Sequence, residues 1–338
     1  MTRTDALCRL LKAGGVLAAG AWGLRRRALP RLTILAYHRV VERRPRDYPL
    51  DSGVLSCTRA EFEREMEFVA RHFEPLTFAD LAAGGWERRR PLIVTFDDGY
   101  KDNHDLALPV LRRYGVPATF FVTSGYLDER ILPWWDEAAW RVRHARAGAL
   151  RLGPEAGGET LPVAGPEQQR QAQQRLLRLA KALPDEARRR LLEDLRAQSD
   201  PPPRALAEGL MMTWDDVRRL VAAGMEIGSH TQSHPLLERV AEAAALDAEL
   251  AGARRRIEEQ SGAAVMALAY PVGRAGAVAE ALAQRVRAAG YRYACLYEHG
   301  VNPRRGFDPY RLRRIQAEVG TDFDRFRAKV LFPRWVRY

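Results

Sequence analysis

The chain has 338 residues, long enough for one large α/β domain or two smaller ones around a sizeable core. Hydrophobic residues make up 46% and charged residues 29%, which excludes wholesale disorder, while three widely spaced cysteines (Cys8, Cys57, Cys295) argue against a disulfide framework. The net charge of +11 is gathered at the ends, +9 over residues 1–46 and +6 from Arg304 onward, which leaves about −4 for the middle. That distribution argues against a nucleic-acid groove across the fold, and no nucleic-acid-binding motif accompanies it; it suits an anionic membrane surface better.

The first 30 residues carry an apolar run, Ala13 to Leu24, between Lys12 and the cluster Arg25-Arg26-Arg27. A run of about twelve residues is too short to span a bilayer. The heavier basic cluster follows the run and so opposes export, which places the protein in the cytoplasm, peripheral on the inner face of the membrane. Two readings of the segment stand side by side: an interfacial helix dipping Leu7, Leu10, Leu11, Leu17 and Trp22 into lipid, or a segment that packs on the core or lacks structure.

From residue 31 the pattern is β–α. Leu32 to Tyr37 reads as a strand ending at His38, and Thr58-Arg59-Ala60-Glu61 is a capping box that opens an amphipathic helix to His72. A shorter helix follows near Thr77–Asp80. Leu92-Ile93-Val94 is a buried strand running into Asp97-Asp98-Gly99, then a helix over 103–114 and a strand Ala118–Val122. Trp134 and Trp135 follow that strand, as core residues or as faces for sugar rings. Residues 141–205 read as a helical insertion with a solvated, charged face. The alternation resumes with a helix from Thr213, a strand Met225–Gly228, a helix over 241–261, a strand Val265–Tyr270, a helix to Ala289, a strand Tyr291–Leu296 and a last one over Tyr310–Ile315. Repeated β–α units with parallel strands favour one (β/α) barrel with an insertion.

The chemistry gathers at strand ends, where α/β barrels keep their active sites. Two adjacent carboxylates cannot both sit ionised in an apolar site without a cation or metal. His230 and His234 have the spacing of a helical metal pair, but Gly228-Ser229 before them and Pro235 after them place them in a loop. Asp98, His230 and His234 then make a three-ligand set with a fourth position open, which fits a divalent metal, zinc by default. Asp97 is left as a base.

Thr95 to Gly99 (TFDDG) and His230 to Pro235 (HTQSHP) resemble the first two motifs of the polysaccharide deacetylases, the NodB-homology carbohydrate esterases, and the likeness covers about residues 31–320. It implies a distorted (β/α)7 barrel, with residues 1–30 as a basic, apolar N-terminal segment and 321–338 as a basic tail. It also implies a metal-dependent hydrolase that removes an acetyl group from an amino sugar of a polysaccharide or glycolipid, with Asp97 as base and Asp98, His230 and His234 on the metal. The expected partners are an N-acetylated glycan or lipid-linked saccharide. The third motif is partial: Ala269-Tyr270-Pro271-Val272-Gly273 has Ala where the family has Arg. The Val272 amide is expected to hold the oxyanion, Tyr270 to line the substrate site with Trp134 and Trp135, and Arg314 to replace the missing arginine that orients the base. The early AYHRV (Ala36 to Val40) and the GVPATFFV and WWDE segments resemble an exopolysaccharide-associated subgroup of membrane glycan enzymes. The motif that carries the general acid is not recognisable; His299 has the wrong spacing, and His38 is the alternative. A secreted peptidoglycan or chitin deacetylase and a catalytically inactive glycan-binding protein of the same fold are the competing readings.

Overall fold

Runs such as Leu32–Tyr37 and Pro91–Phe96 are apolar on both faces, as strands require when one face meets helices and the other a filled interior. The structure, a computed structural model, describes residues 15–24, 28–274, 276–317 and 322–333. Seven parallel strands form a closed ring: β1 (Arg31–Tyr37), β2 (Pro91–Phe96), β3 (Ala118–Val122), β4 (Glu226–Ser229), β5 (Ala267–Ala269), β6 (Tyr293–His299) and β7 (Leu312–Gln316). Each pairs with the next, and β7 closes on β1 with Leu35 opposite Ile315. The expected (β/α)7 barrel is the fold found.

Side chains divide by the two-residue period of a strand. Leu32, Ile34, Ile93, Phe121, Ala267, Ala269, Tyr293, Cys295 and Leu312 share one interior cluster. Leu35, Tyr37, Val94, Phe96, Phe120 and Ile315 belong to the outer layer under the helices. The same period carries Thr95 and Asp97 inward after Ile93, and Arg314 inward after Leu312. Gly228 sits where a Cβ would stand 2.4 Å from the Phe121 ring, so the filled interior demands glycine there.

The longer helices are α1 (Val16–Leu24), α2 (Arg59–His72), α3 (Leu108–Tyr114), α4 (Trp134–Arg143), α5 (Pro166–Ala182), α6 (Asp185–Gln198), α7 (Trp214–Ala222), α8 (Ala253–Ser261), α9 (Glu280–Ala288) and α10 (Phe323–Leu331), of which α4, α5 and α6 pack in and beside the insertion. The capping box at Thr58 forms as read: its hydroxyl accepts from Glu61 N at 3.3 Å and Glu61 accepts from Thr58 N at 2.7 Å.

Several expectations need correction. The insertion is not purely helical; Ala149–Arg151 and Thr160–Pro162 pair as an antiparallel hairpin, too short and too polar to register as strands in the sequence. Nor is it only a solvated face, because α4, α5 and α6 build a second core with Leu150, Leu176, Leu191 and Leu195. The helix expected over 241–261 is found over Ala243–Ser261, with one wider π-type turn inside it at Ala248–Gly252. The tail after 321 holds α10, whose Phe326 and Val330 are buried in the main core with Phe323 packed against it, because these apolar residues recur at helical spacing among the arginines. Leu17 of α1 is 2% exposed and joins the main core, so it does not dip into lipid. Leu7, Leu10, Leu11 and Arg25–Arg27 lie outside the described residues, as does the end of the tail from 334. Among the described residues no helix is long and apolar enough to cross a membrane.

Candidate functional site

At the carboxyl end of β2 the chain turns sharply, with Asp98 at φ 77° and Gly99 at φ 91°. The turn sends Asp97 into the barrel mouth and Asp98 toward the loop after β4. That loop is held by its neighbours: His230 N donates to Val122 O at 2.9 Å, and Glu249 accepts from the amides of Gln232 and Ser233, each at 2.9 Å. Non-glycine residues at positive φ cost energy and collect where a site over-determines the backbone. Four of the five described here, Asp98, Thr231, His234 and Val272, surround this mouth. Val272 is the most telling, since a β-branched residue is poorly suited to φ 57°.

Asp98, His230 and His234 come together as the spacing argument anticipated. Their candidate ligand atoms lie within 4.8 Å of one another, and all three residues are buried. His230 Nε2 and His234 Nε2 stand 3.4 and 3.5 Å from Asp98 Oδ1. His230 Nδ1 donates to Ala269 O at 2.7 Å, which fixes the tautomer and aims Nε2 at the cluster. Asp98 Oδ2 is buried without a hydrogen-bond partner. Burial, with the charges of His230 and Arg188 nearby, pulls His234 well below the ordinary imidazole value and keeps it neutral, the form that ligates. An orphaned carboxylate oxygen and two imidazoles form a donor set that fits a divalent cation.

Asp97 is held differently. Arg314 is fully buried and grips it with both arms, Nη1 to Oδ1 and Nη2 to Oδ2, each at 2.7 Å. The rest of the guanidinium is also satisfied: Nε donates to Leu296 O at 2.9 Å and Nη1 to Thr95 Oγ1 at 3.2 Å. Burial alone would raise the Asp97 carboxyl, but Arg314 outweighs it, with His230 adding, and holds the group below the usual carboxylate range. So the arginine missing at Ala269 is matched by one on β7, at an inward position of another strand.

The pocket over these groups has a volume of about 170 Å³ and is lined by His38, Asp97, Asp98, His230, His234, Tyr270 and Val272 among others. His38 therefore belongs to the site, with its ring edge-on to Tyr297 at 5.2 Å. His299 does not; its Nε2 faces Pro333 O at 3.2 Å. Tyr270 lines the wall and donates its hydroxyl to Tyr310 O at 3.0 Å. Trp134 and Trp135 also line the pocket, but each is only 5% exposed. Arg188 covers the Trp134 ring at 5.1 Å, and Trp135 packs on His234 with centroids 4.4 Å apart. Both rings thus line the pocket while packing behind the group of Asp98, His230 and His234.

Sequence reasoning missed the residues that the loops and the insertion bring in. Arg188 of α6 donates to His234 O at 3.2 Å. Asp51, Lys181 and Tyr297 line the pocket. Trp135 Nε1 donates to Tyr100 OH at 2.8 Å, and Tyr100 in turn donates to Asp136 at 2.7 Å, tying the start of α4 to the turn after β2. Nothing in the local pattern of a charged helix marks one lysine or arginine as different from the next. The only usable signal was the tyrosine directly after TFDDG.

A family model for polysaccharide deacetylases matches residues 85–294, more than half of the chain. Over 97 residues the chain is 31% identical to YxkH of Bacillus subtilis (strain 168), described as a polysaccharide deacetylase; the match covers 27% of this chain and 32% of that protein. The chain thus spans about a third of the length of the curated relative it matches. Among solved structures it is similar to the deacetylase PplD of Streptococcus pyogenes in complex with acetate, with a TM-score of 0.55 and 15% identity over 87% of this chain and 95% of that one. It is likewise similar to BC0361, a polysaccharide deacetylase from Bacillus cereus, with a TM-score of 0.56 and 16% identity over 89% of this chain and 69% of that one. Identities this low speak for the fold, while the family match rests on the stretch that contains both the Asp97-Asp98 turn and the His230–His234 loop. The chain belongs to the polysaccharide deacetylase family.

Proposed function

We propose that the protein hydrolyses an N-acetyl group from an amino sugar of a polysaccharide or glycolipid, with a divalent cation at Asp98, His230 and His234. The observation that carries the reading is a pair of adjacent carboxylates with separated tasks: Asp98 faces two imidazoles, and Asp97 is clamped by Arg314. The bound cation, zinc by default for this donor set, supplies Lewis acidity and an acidified water.

The residues then divide the work. Arg314 keeps Asp97 ionised and oriented, so that Asp97 can take the proton of the attacking water. The water oxygen bonds to the amide carbon, and the Val272 N–H donates to the carbonyl oxygen as it gains charge. The C–N bond breaks with a proton delivered to the leaving nitrogen. His38 supports that last role through its place on the pocket wall. The products are acetate and the free amino sugar.

Metal-loaded protein is expected to release acetate from N-acetylated oligosaccharides or their lipid-linked forms. Asp97→Asn should abolish release and retain metal, and Asp98→Asn should lose both, with metal measured by elemental analysis. Acetate release that survives in Asp97→Asn would overturn the assignment of the base and with it the mechanism. A bell-shaped pH–rate profile that loses one limb in His38→Ala supports His38 as the acid; one that keeps both limbs removes it.

A further inference from the structure

Asp51, Gly53 and Val54 reach the catalytic pocket from the loop between β1 and α2. Leu50, buried in the second core with Tyr100 and Trp135, anchors that loop from below. Asp51 N donates to Asp136 Oδ1 at 2.9 Å, and Tyr100 OH donates to Asp136 Oδ2 at 2.7 Å. The fully buried Asp136 thus commits both carboxylate oxygens to holding the loop and Tyr100. Tyr100 accepts in turn from Trp135, whose ring packs on His234. The network that places Asp51 is therefore the one that stands behind a candidate metal ligand. Such supporting contacts are what fix a functional group to within a fraction of an ångström.

The Asp51 side chain is held through one oxygen only. Its Oδ1 accepts from Gly53 N at 3.0 Å, which caps the short turn Ser52–Val54, and from Gln173 Nε2 of α5 at 3.2 Å. Its Oδ2 has no hydrogen-bond partner among the described residues, and Lys181, which lines the same pocket, forms no ion pair with it. An oriented carboxylate with one open oxygen is a strong acceptor, and a sugar ring presents hydroxyl donors. A site built to bond a substrate hydroxyl rejects the analogue that lacks it far more strongly than an apolar wall can.

We propose that Asp51 determines specificity, its Oδ2 accepting a hydrogen bond from one hydroxyl of the amino sugar that carries the acetyl group. The inference rests on the deacetylase reading for the identity of the occupant. Asp51 then selects the sugar, while Asp97 and the cluster of Asp98, His230 and His234 act on its amide.

The test uses the full chain loaded with zinc and carrying Asp97→Asn, so that binding is read without turnover. Calorimetry compares the methyl glycoside of N-acetylglucosamine with analogues that each lack one hydroxyl. One analogue should bind about tenfold more weakly than the parent, as expected for the loss of a hydrogen bond to a charged group. Adding Asp51→Ala should weaken the parent by a similar factor and leave that one analogue unchanged, the signature of two groups that touch. Asp51→Asn keeps an oxygen for Gly53 N and so spares the turn; it should give the same pattern with a smaller loss. Zinc content and circular dichroism check that each variant is folded. Equal weakening of every probe, which a merely structural role would produce, or no weakening by either substitution overturns the proposal. The deacetylase reading is judged separately, by acetate release from the parent glycoside with Asp97 intact.

Discussion

Asp97 and Arg314 form the contact on which the site turns. A buried bidentate pair is expensive to break, because removing one partner strands the other's charge; losses of about 3–5 kcal/mol are typical. Arg314→Ala is therefore expected to lower the unfolding free energy by an amount of that order and to reduce kcat about a hundredfold or more, while Asp98, His230 and His234 keep their metal. Arg314→Lys should recover part of the stability but little of the rate, since a point charge cannot hold both carboxylate oxygens. Urea unfolding, metal analysis and single-turnover kinetics on the two variants separate these effects. Full activity in Arg314→Ala would show that Asp97 needs no such clamp.

Among the elements, the insertion acts on the site through α6. Arg188 joins Asp185, the Trp134 ring and the His234 carbonyl. Groups that orient a metal ligand usually matter for affinity by about 10- to 100-fold. Arg188→Ala is accordingly expected to weaken metal binding by about tenfold, read by chelator competition, with the far-ultraviolet spectrum preserved. Unchanged affinity would mean that the loop of His234 is fixed by Glu249 and Thr231 without help from the insertion. The sequence revealed the helices of the insertion but not this role. Arg188 stands in a run of arginines, and only the packing of α6 over the barrel mouth singles it out.

Across the whole molecule, stability should depend on pH through Glu65. This residue of α2 is buried between β1 and α10 and accepts the Tyr37 hydroxyl at 2.7 Å. Burial pushes its carboxyl up to about 8, with Glu61 adding and Tyr37, Lys329 and Arg44 opposing. The folded protein thus holds a proton that the unfolded chain, with an ordinary value near 4.5, gives up. Stability from this group is complete below about pH 4.5, falls as pH rises toward 8, and is flat above that. Glu65→Gln should flatten the urea midpoint between pH 5 and about 8 and raise it at the alkaline end. An equal slope in both proteins would show that Glu65 is ionised throughout.

Much of this protein was determined by local sequence. Short, continuously apolar strand runs, the capping box at Thr58, and carboxylates and imidazoles beside turn residues are all set by short-range sterics and hydrogen bonding, so the barrel and the cluster of Asp98, His230 and His234 were legible. Arg314 was reached by comparison with a family pattern, and the inward phase of β7 accounts for why it can serve. Tertiary structure alone decided the rest. The hairpin inside the insertion, the packing of Leu17 and α10 on the core, and the presence of Lys181 and Arg188 at the pocket depend on which surfaces meet. Pairing between residues more than a hundred positions apart, as between Arg314 and Asp97, follows from the closure of the barrel and leaves no mark in the spacing of either strand.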